Sequence, residues 1–135
     1  MMKKAAFIIL CLTLLATACG PSGPSPEDTW NELAVVDKGF GDSLELAFAT
    51  GRGNLAPVIL SLQEHLKDFR AIVPSEDVPT NIWSACEDRF ELPIDAFIAF
   101  LDTDYSEQSV QNTFARGASA GKTCVGWFTE NVELE

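Results

Sequence analysis

Basic residues are scarce in this chain of 135 residues, which contains 9 Lys and Arg against 20 Asp and Glu and has a formal net charge of −11. Binding to a nucleic-acid backbone requires clustered Lys and Arg, so the composition excludes nucleic acid as a partner. The same deficit disfavours adhesion to anionic lipid head groups by charge alone.

Histidine is represented by His65 alone, and the chain has 4 Cys. Covalent haem attachment needs a Cys-x-x-Cys-His motif, which is missing. A catalytic triad would have to use His65 as its base, with no marked nucleophile beside it, and we expect this residue to be solvated on the polar side of a helix. The sequence therefore predicts no cofactor and no metal site, and it favours a protein that is not an enzyme.

Glycine and proline are few, with 9 Gly and 7 Pro, whereas 47% of the residues are hydrophobic. This composition excludes a fibrous chain and is too apolar for a disordered one. The length fits one folded domain.

The N-terminus has the pattern of an export signal. Two lysines, Lys3 and Lys4, precede an apolar run from Ala5 to Ala18, which is shorter than the ~20 residues that a membrane-spanning helix needs. The run ends in Leu15-Ala16-Thr17-Ala18-Cys19, which resembles the lipobox of bacterial lipoprotein precursors, although Ala16 stands where the family most often has Leu. The resemblance implies that Cys19 is lipidated and becomes the mature N-terminus. The alternative is a plain secretory signal cleaved after Ala18.

This resemblance implies three segments: a signal peptide at 1–18, a lipidated Cys19 with a flexible tether at 19–25, and a helical domain at 26–135. Removal of residues 1–18 leaves 7 basic and 20 acidic side chains, a formal charge of −13. Acyl chains such as palmitate on Cys19 would then hold the protein to the membrane. Gly20 is not the Asp that retains enterobacterial lipoproteins at the inner membrane. We therefore expect the outer membrane, facing the periplasm, in a Gram-negative host.

Apolar residues spaced three or four apart predict helices after the tether. The first helix begins at Pro26 with Ser25 as its N-cap, and a break near 39–42 is left open because Gly39 and Gly41 weaken it. Its apolar stripe comprises Trp30, Leu33/Ala34, Phe40, Leu44 and Ala47/Phe48. The turn at 50–54 offers a glycine to end this helix and an asparagine to cap the next.

The second predicted helix has the cleanest stripe, from Leu55 to Phe69. Residues 81–102 form either one helix kinked by Pro93, which we favour, or two short helices. The last helix runs from Tyr105 or Ser106 to about Glu130. The predicted fold is all-α, a small up-and-down bundle of about four helices.

Cys86 and Cys124 test this fold. They lie ~26 and ~30 Å from the turn between the last two helices at ~1.5 Å per residue, so an antiparallel hairpin places them nearly level. Both also fall on apolar stripes. We therefore predict a Cys86–Cys124 disulfide, as expected for an exported protein, with two buried free thiols as the alternative.

Four carboxylates are spaced along the third helix and form what we call the acidic face: Glu87, Asp88, Glu91 and Asp95. Like charges at this spacing oppose helix formation, and a cation or a basic partner surface would relieve that repulsion. The alternative is a solvated face without a binding role.

Small residues and tryptophans have structural interpretations. Gly117 and Gly121 belong to a small-residue face that predicts the close approach of another helix, and the spacing of the glycines does not match a phosphate-binding loop. Trp30, Trp83 and Trp127 lie on or beside apolar stripes, so we expect them to pack in the core.

The functional prediction is a lipid-anchored module that docks an envelope protein; the alternative is a bundle that binds a small apolar ligand or a cation.

Overall fold

The computed structural model describes residues 23–102, 104 and 106–133. Within these ranges the chain forms an all-α bundle of four helices, as predicted. They are α1 (Pro26–Ala49), α2 (Leu55–Arg70), α3 (Thr80–Leu101) and α4 (Glu107–Asn131), and a short 3₁₀ turn, Arg52–Asn54, precedes α2. The predicted signal peptide, the lipidated Cys19, the first residues of the tether and the proposed start at Tyr105 lie outside the described residues.

The start of α1 has the predicted cap. The hydroxyl of Ser25 accepts from the Asp28 amide at 3.1 Å, and the Asp28 carboxylate accepts from the Ser25 amide at 3.0 Å. Pro26 occupies the first turn, where its missing amide costs nothing. The Asp28 carboxylate accepts hydrogen bonds from the backbone and from the side chain of Ser25. These bonds, with the backbone one contributing most, lower the pKa of Asp28 below its ordinary value.

The helix α1 continues without interruption through Gly39 and Gly41, so the break left open at 39–42 does not occur. Gly39 has a packing role instead. A Cβ at this position would lie 2.7 Å from Cε1 of His65, so glycine is what lets the imidazole of α2 approach the α1 backbone.

The turn at 50–54 differs from its prediction. The helix α1 ends at Thr50 in an extended conformation, and Gly51 has a φ of −68°, so neither residue forms a left-handed glycine cap. Asn54 precedes α2, but its side chain makes no capping hydrogen bond. The Asn54 amide donates to the Gly51 carbonyl at 2.9 Å instead, and the 3₁₀ turn carries the chain into α2.

One helix, α3, spans Pro93, as favoured from the sequence. The proline is buried against α4, where a Cβ on Gly117 would lie 3.0 Å from its Cδ. Gly121 gives Arg89 similar room, with the guanidinium 2.5 Å from the position of a Cβ. The predicted close approach of another helix to Gly117 and Gly121 is therefore confirmed.

The predicted disulfide is present between α3 and α4. Cys86 and Cys124 have a Cα–Cα distance of 5.0 Å and an Sγ–Sγ distance of 2.00 Å, and both are fully buried. Around them the core is built from the inward faces of all four helices. Its most deeply buried side chains include Leu55, Leu62, Phe69, Phe90 and Phe128.

The up-and-down order gives the bundle two ends. The N-terminal end carries Ser25, the loop 71–79 and the last turn of α4, and the Ser75 amide there donates to the hydroxyl of buried Thr29 at 2.8 Å. The distal end carries the turn 50–54 and the connection between α3 and α4. The two ends are ~36 Å apart, because α1 has 24 residues at ~1.5 Å each.

Candidate functional site

The acidic face is partly neutralised by the protein itself. The Arg70 guanidinium, at the end of α2, lies 3.3 Å from the Glu87 carboxylate and 3.7 Å from that of Glu91. Asp88 and Asp95 remain exposed, and Asp95 instead lines a shallow groove with Arg116. The repulsion that motivated an external cation or partner is thus relieved in part from within, and the four carboxylates do not converge on one point.

Sequence reasoning missed Arg70 as the partner of Glu87 and Glu91. The pairing depends on which faces of α2 and α3 meet, and the apolar pattern of each helix does not determine that. Among the described residues, no group of three or more His, Cys, Asp or Glu side chains is placed to hold a metal ion.

The prediction that His65 is solvated is wrong. Its ring is half-buried between α1 and α2 against Gly39, and Nε2 lies 3.2 Å from the Ser43 hydroxyl oxygen. Ser43 in turn lies 3.0 Å from the Ser61 hydroxyl. A serine beside a histidine is the first requirement of a nucleophile and its base. Here the chain of hydrogen bonds joins two helices, and it lies apart from the groove at the distal end.

A groove lies at the distal end of the described surface, and we call it the aromatic groove. It has a volume of about 590 Å³ and lies where α1, α2, α3 and α4 meet at the distal end. Four phenylalanines contribute to its lining: Phe48, Phe97, Phe100 and Phe114. The other lining residues include Ala47, Thr50, Leu55, Val110 and Gln111.

Three of the four rings, those of Phe48, Phe97 and Phe114, form one contacting cluster. The Phe48 centroid lies 5.2 Å from that of Phe97 and 5.3 Å from that of Phe114, and the latter two are 4.8 Å apart. Phe97 is buried, whereas Phe48 is 63% exposed and Phe100 is 45% exposed. Exposed aromatic rings that rest on a buried aromatic base are typical of a surface that binds another apolar group.

Charged groups of both signs line the aromatic groove. The Arg52 guanidinium, from the turn before α2, lies 5.2 Å from the centroid of the Phe100 ring, a cation–π contact. Asp102 and Glu107, from the connection between α3 and α4, contribute carboxylates to the lining. The Asp102 carboxylate also accepts from the Asp104 amide at 3.0 Å, which holds it in the turn.

The aromatic groove extends along the seam between α1 and α4. A neighbouring depression of about 330 Å³ shares Phe48 and Phe114 with it and continues toward Phe40 and Gly117. The backbones of α1 and α4 approach each other at few points, whereas α3 and α4 pack closely along their length. The open seam therefore makes the apolar surface longer than the groove at the distal end alone.

Sequence analysis did not identify the aromatic groove. Phe48 was assigned to the apolar stripe of the first helix, but the neighbouring Ala47 takes the buried position there and the Phe48 ring is exposed. Phe100 follows Phe97 by three residues, a helical spacing that does not separate an exposed ring from a buried one. The prediction that the three tryptophans pack against the core is confirmed. Trp30 contacts Phe128, Trp83 stacks on Phe69, and Trp127 meets Phe128 edge-on.

Comparison of the chain with protein-family models, with curated proteins and with solved structures finds no match in any of the three. Across the described part of the chain, no helix combines the length and the apolar composition that crossing a membrane requires. The site is therefore interpreted from its own geometry.

Proposed function

We propose that this chain is a membrane-anchored envelope lipoprotein that acts without catalysis, as a protein-interaction module. It binds a segment of a partner protein in the aromatic groove at its distal end. The observation that carries the proposal is the exposure of Phe48, which rests on the buried Phe97 ring, and of Phe100, which lies beside it in the lining of the same groove. Exposed apolar patches on a folded protein mark sites where another molecule binds.

The geometry of the bundle supports an outward-facing role. Leu15-Ala16-Thr17-Ala18-Cys19 resembles a lipobox, and the described chain begins at the N-terminal end of the bundle. A lipid on Cys19 would therefore anchor that end, with palmitate among its acyl chains. The aromatic groove would lie at the opposite end of the bundle from the anchor, ~36 Å away along α1.

The openness of the groove favours a protein segment over a small molecule. Small-molecule sites bury most of their ligand, whereas Phe48 and Phe100 stand at the surface. Binding hot spots between proteins are enriched in aromatic residues and arginine, and Arg52 over Phe100 adds that combination at the rim. A small apolar ligand is the second candidate, because about 590 Å³ falls within the range of ligand pockets, ~300–1,000 Å³.

Site-specific photo-crosslinking in intact cells tests the docking role. Benzoylphenylalanine is introduced separately at Phe48, at Phe100 and, as the control, at Leu60, which lies outside the groove and is also 63% exposed. We expect a protein adduct of one mass from positions 48 and 100 and none from position 60, with mass spectrometry identifying the peptide crosslinked. Equal adducts from all three positions, or an extracted small molecule in place of a protein adduct, would contradict the proposal.

Metabolic labelling with radioactive palmitate tests the anchor. We expect the label on the wild-type protein and on Cys11→Ala, whose cysteine lies within the apolar run, and no label on Cys19→Ala. A wild-type protein that is exported without label would remove the lipid from the proposal and leave the docking role standing.

A further inference from the structure

We infer that the segment bound in the aromatic groove is basic and amphipathic, with an aliphatic or aromatic side chain that enters between the phenylalanines and a Lys or Arg that meets Asp102 and Glu107. This inference rests on the proposed docking function and adds the chemistry of the partner. It follows from the placement of charge around the groove and across the whole chain.

The apolar part of the inference comes from the base of the groove. Phe97 and Phe114 form a T-shaped pair with centroids 4.8 Å apart, and the Phe48 ring covers both. These rings offer no hydrogen-bonding atoms, so an anionic or polar group that enters between them loses its partners in water. An aliphatic or aromatic side chain is what this surface accommodates.

The charged part comes from the rim. Asp102 and Glu107 line the groove where α3 connects to α4. Arg52 also lines the groove, and its guanidinium lies over the Phe100 ring in a cation–π contact. The two carboxylates are therefore the lining groups that attract a basic residue of the partner.

The surroundings of the groove strengthen this preference. The distal thirds of the helices and their turns, residues 42–57, 95–104 and 107–116, contain more acidic than basic side chains. The acidic ones are Asp42, Glu45, Asp95, Asp102, Asp104 and Glu107, against Arg52 and Arg116. The field that an approaching segment meets is negative, which speeds the association of a cation and slows that of an anion.

The same charge argues against a second copy of this chain as the occupant. The part of the chain from Cys19 onward carries 7 basic and 20 acidic side chains, so two copies repel each other. A positively charged partner segment is attracted by the same negative field that opposes the association of two copies.

Three labelled amphipathic peptides test the inference by fluorescence anisotropy. They share one pattern of Leu and Trp, and their polar positions are all Lys, all Gln or all Glu. We expect the Lys peptide to bind at least tenfold more tightly than the Glu peptide to the wild-type protein, with the Gln peptide between them. The preference shrinks as salt rises, since exposed charges are screened within ~8 Å at physiological ionic strength.

Matched variants place the preference at the rim. Asp102→Asn with Glu107→Gln removes two carboxylates at the groove, and Asp88→Asn with Glu130→Gln removes two exposed carboxylates elsewhere. We expect the first pair to weaken the Lys peptide about fivefold and the second pair to change it less than twofold, because a short-range contact is lost only at the rim. Equal effects of the two pairs would overturn the assignment of the basic residue to Asp102 and Glu107.

The outcomes separate this inference from the function on which it rests. Phe48→Ala is expected to weaken all three peptides, and Leu60→Ala none. If Phe48→Ala weakens all three but they bind wild-type protein equally, the basic character is wrong and the docking groove stands. If Phe48→Ala leaves every peptide unaffected, the docking function fails as well.

Discussion

At the N-terminal end of the bundle Phe128 is fully buried, whereas at the distal end Phe48 leaves 63% of its surface in solvent. Both are aromatic residues on the inward side of a helix, and both contact two further aromatic rings. The neighbours differ. Around Phe128 the rings of Trp30 and Trp127 close over it, while nothing in the described chain covers Phe48.

The covalent link follows the same division. The disulfide lies in the half of α3 and α4 nearer the N-terminal end, where the Ser75 amide also donates to Thr29. The distal half has the Ser43 hydroxyl, which lies within hydrogen-bond distance of Ser61 and His65, and the aromatic contacts of Phe48. The difference teaches that the cross-link and the closed aromatic packing lie toward one end and the exposed aromatic rings at the other, as is usual where surface needed for recognition is left out of the core.

The largest expected loss of stability comes from the buried ring at the N-terminal end. Phe128→Ala should lower the free energy of unfolding by about 3–5 kcal/mol, because it removes a fully buried ring and leaves a cavity beneath Trp30 and Trp127. Urea unfolding monitored by circular dichroism measures the loss. Phe128→Leu, which refills much of the volume, should lose no more than about 1.5 kcal/mol. A loss below about 1 kcal/mol for the alanine variant would contradict a sealed N-terminal end.

The disulfide should contribute a comparable but smaller amount. Replacing Cys86 and Cys124 together by Ala opens a loop closed over a separation of 38 residues, and the chain-entropy model gives a loss of roughly 3–4 kcal/mol. Cys86→Ala alone should lose about as much, because either change breaks the bond. Thermal unfolding of the three proteins measures this. A double variant as stable as wild type would show that packing, not the cross-link, holds α3 to α4.

The helices and the disulfide could be predicted because their signals are local. Apolar residues three or four apart define each stripe, and Ser25 before Pro26 marks a start without reference to the rest of the fold. Cys86 and Cys124 required one further step, an antiparallel hairpin that sets two helices level. Arithmetic at ~1.5 Å per residue is sufficient for that step.

The site could not be predicted in the same way, because it depends on how the four helices pack at the distal end. The sequence places both Ala47 and Phe48 on a stripe but does not show that Ala47 is buried while the Phe48 ring stays exposed. Arg70 beside Glu87, and His65 against Gly39, depend on which faces of two helices meet and on the reach of a side chain. Neither is encoded in the periodicity of one helix.

The smallest expected loss of stability comes from the exposed ring at the distal end. Phe48→Ala should cost about 1 kcal/mol of stability, far less than Phe128→Ala, because most of the Phe48 ring is already in water and only its contacts with Phe97 and Phe114 are lost. Leu60→Ala, with the same exposed fraction, should cost about 0.5 kcal/mol in the same urea titration. A loss of 3 kcal/mol or more for Phe48→Ala would make the distal aromatic cluster a part of the core. The exposed Phe48 ring would then be required for the stability of the fold, and its exposure would no longer indicate a partner.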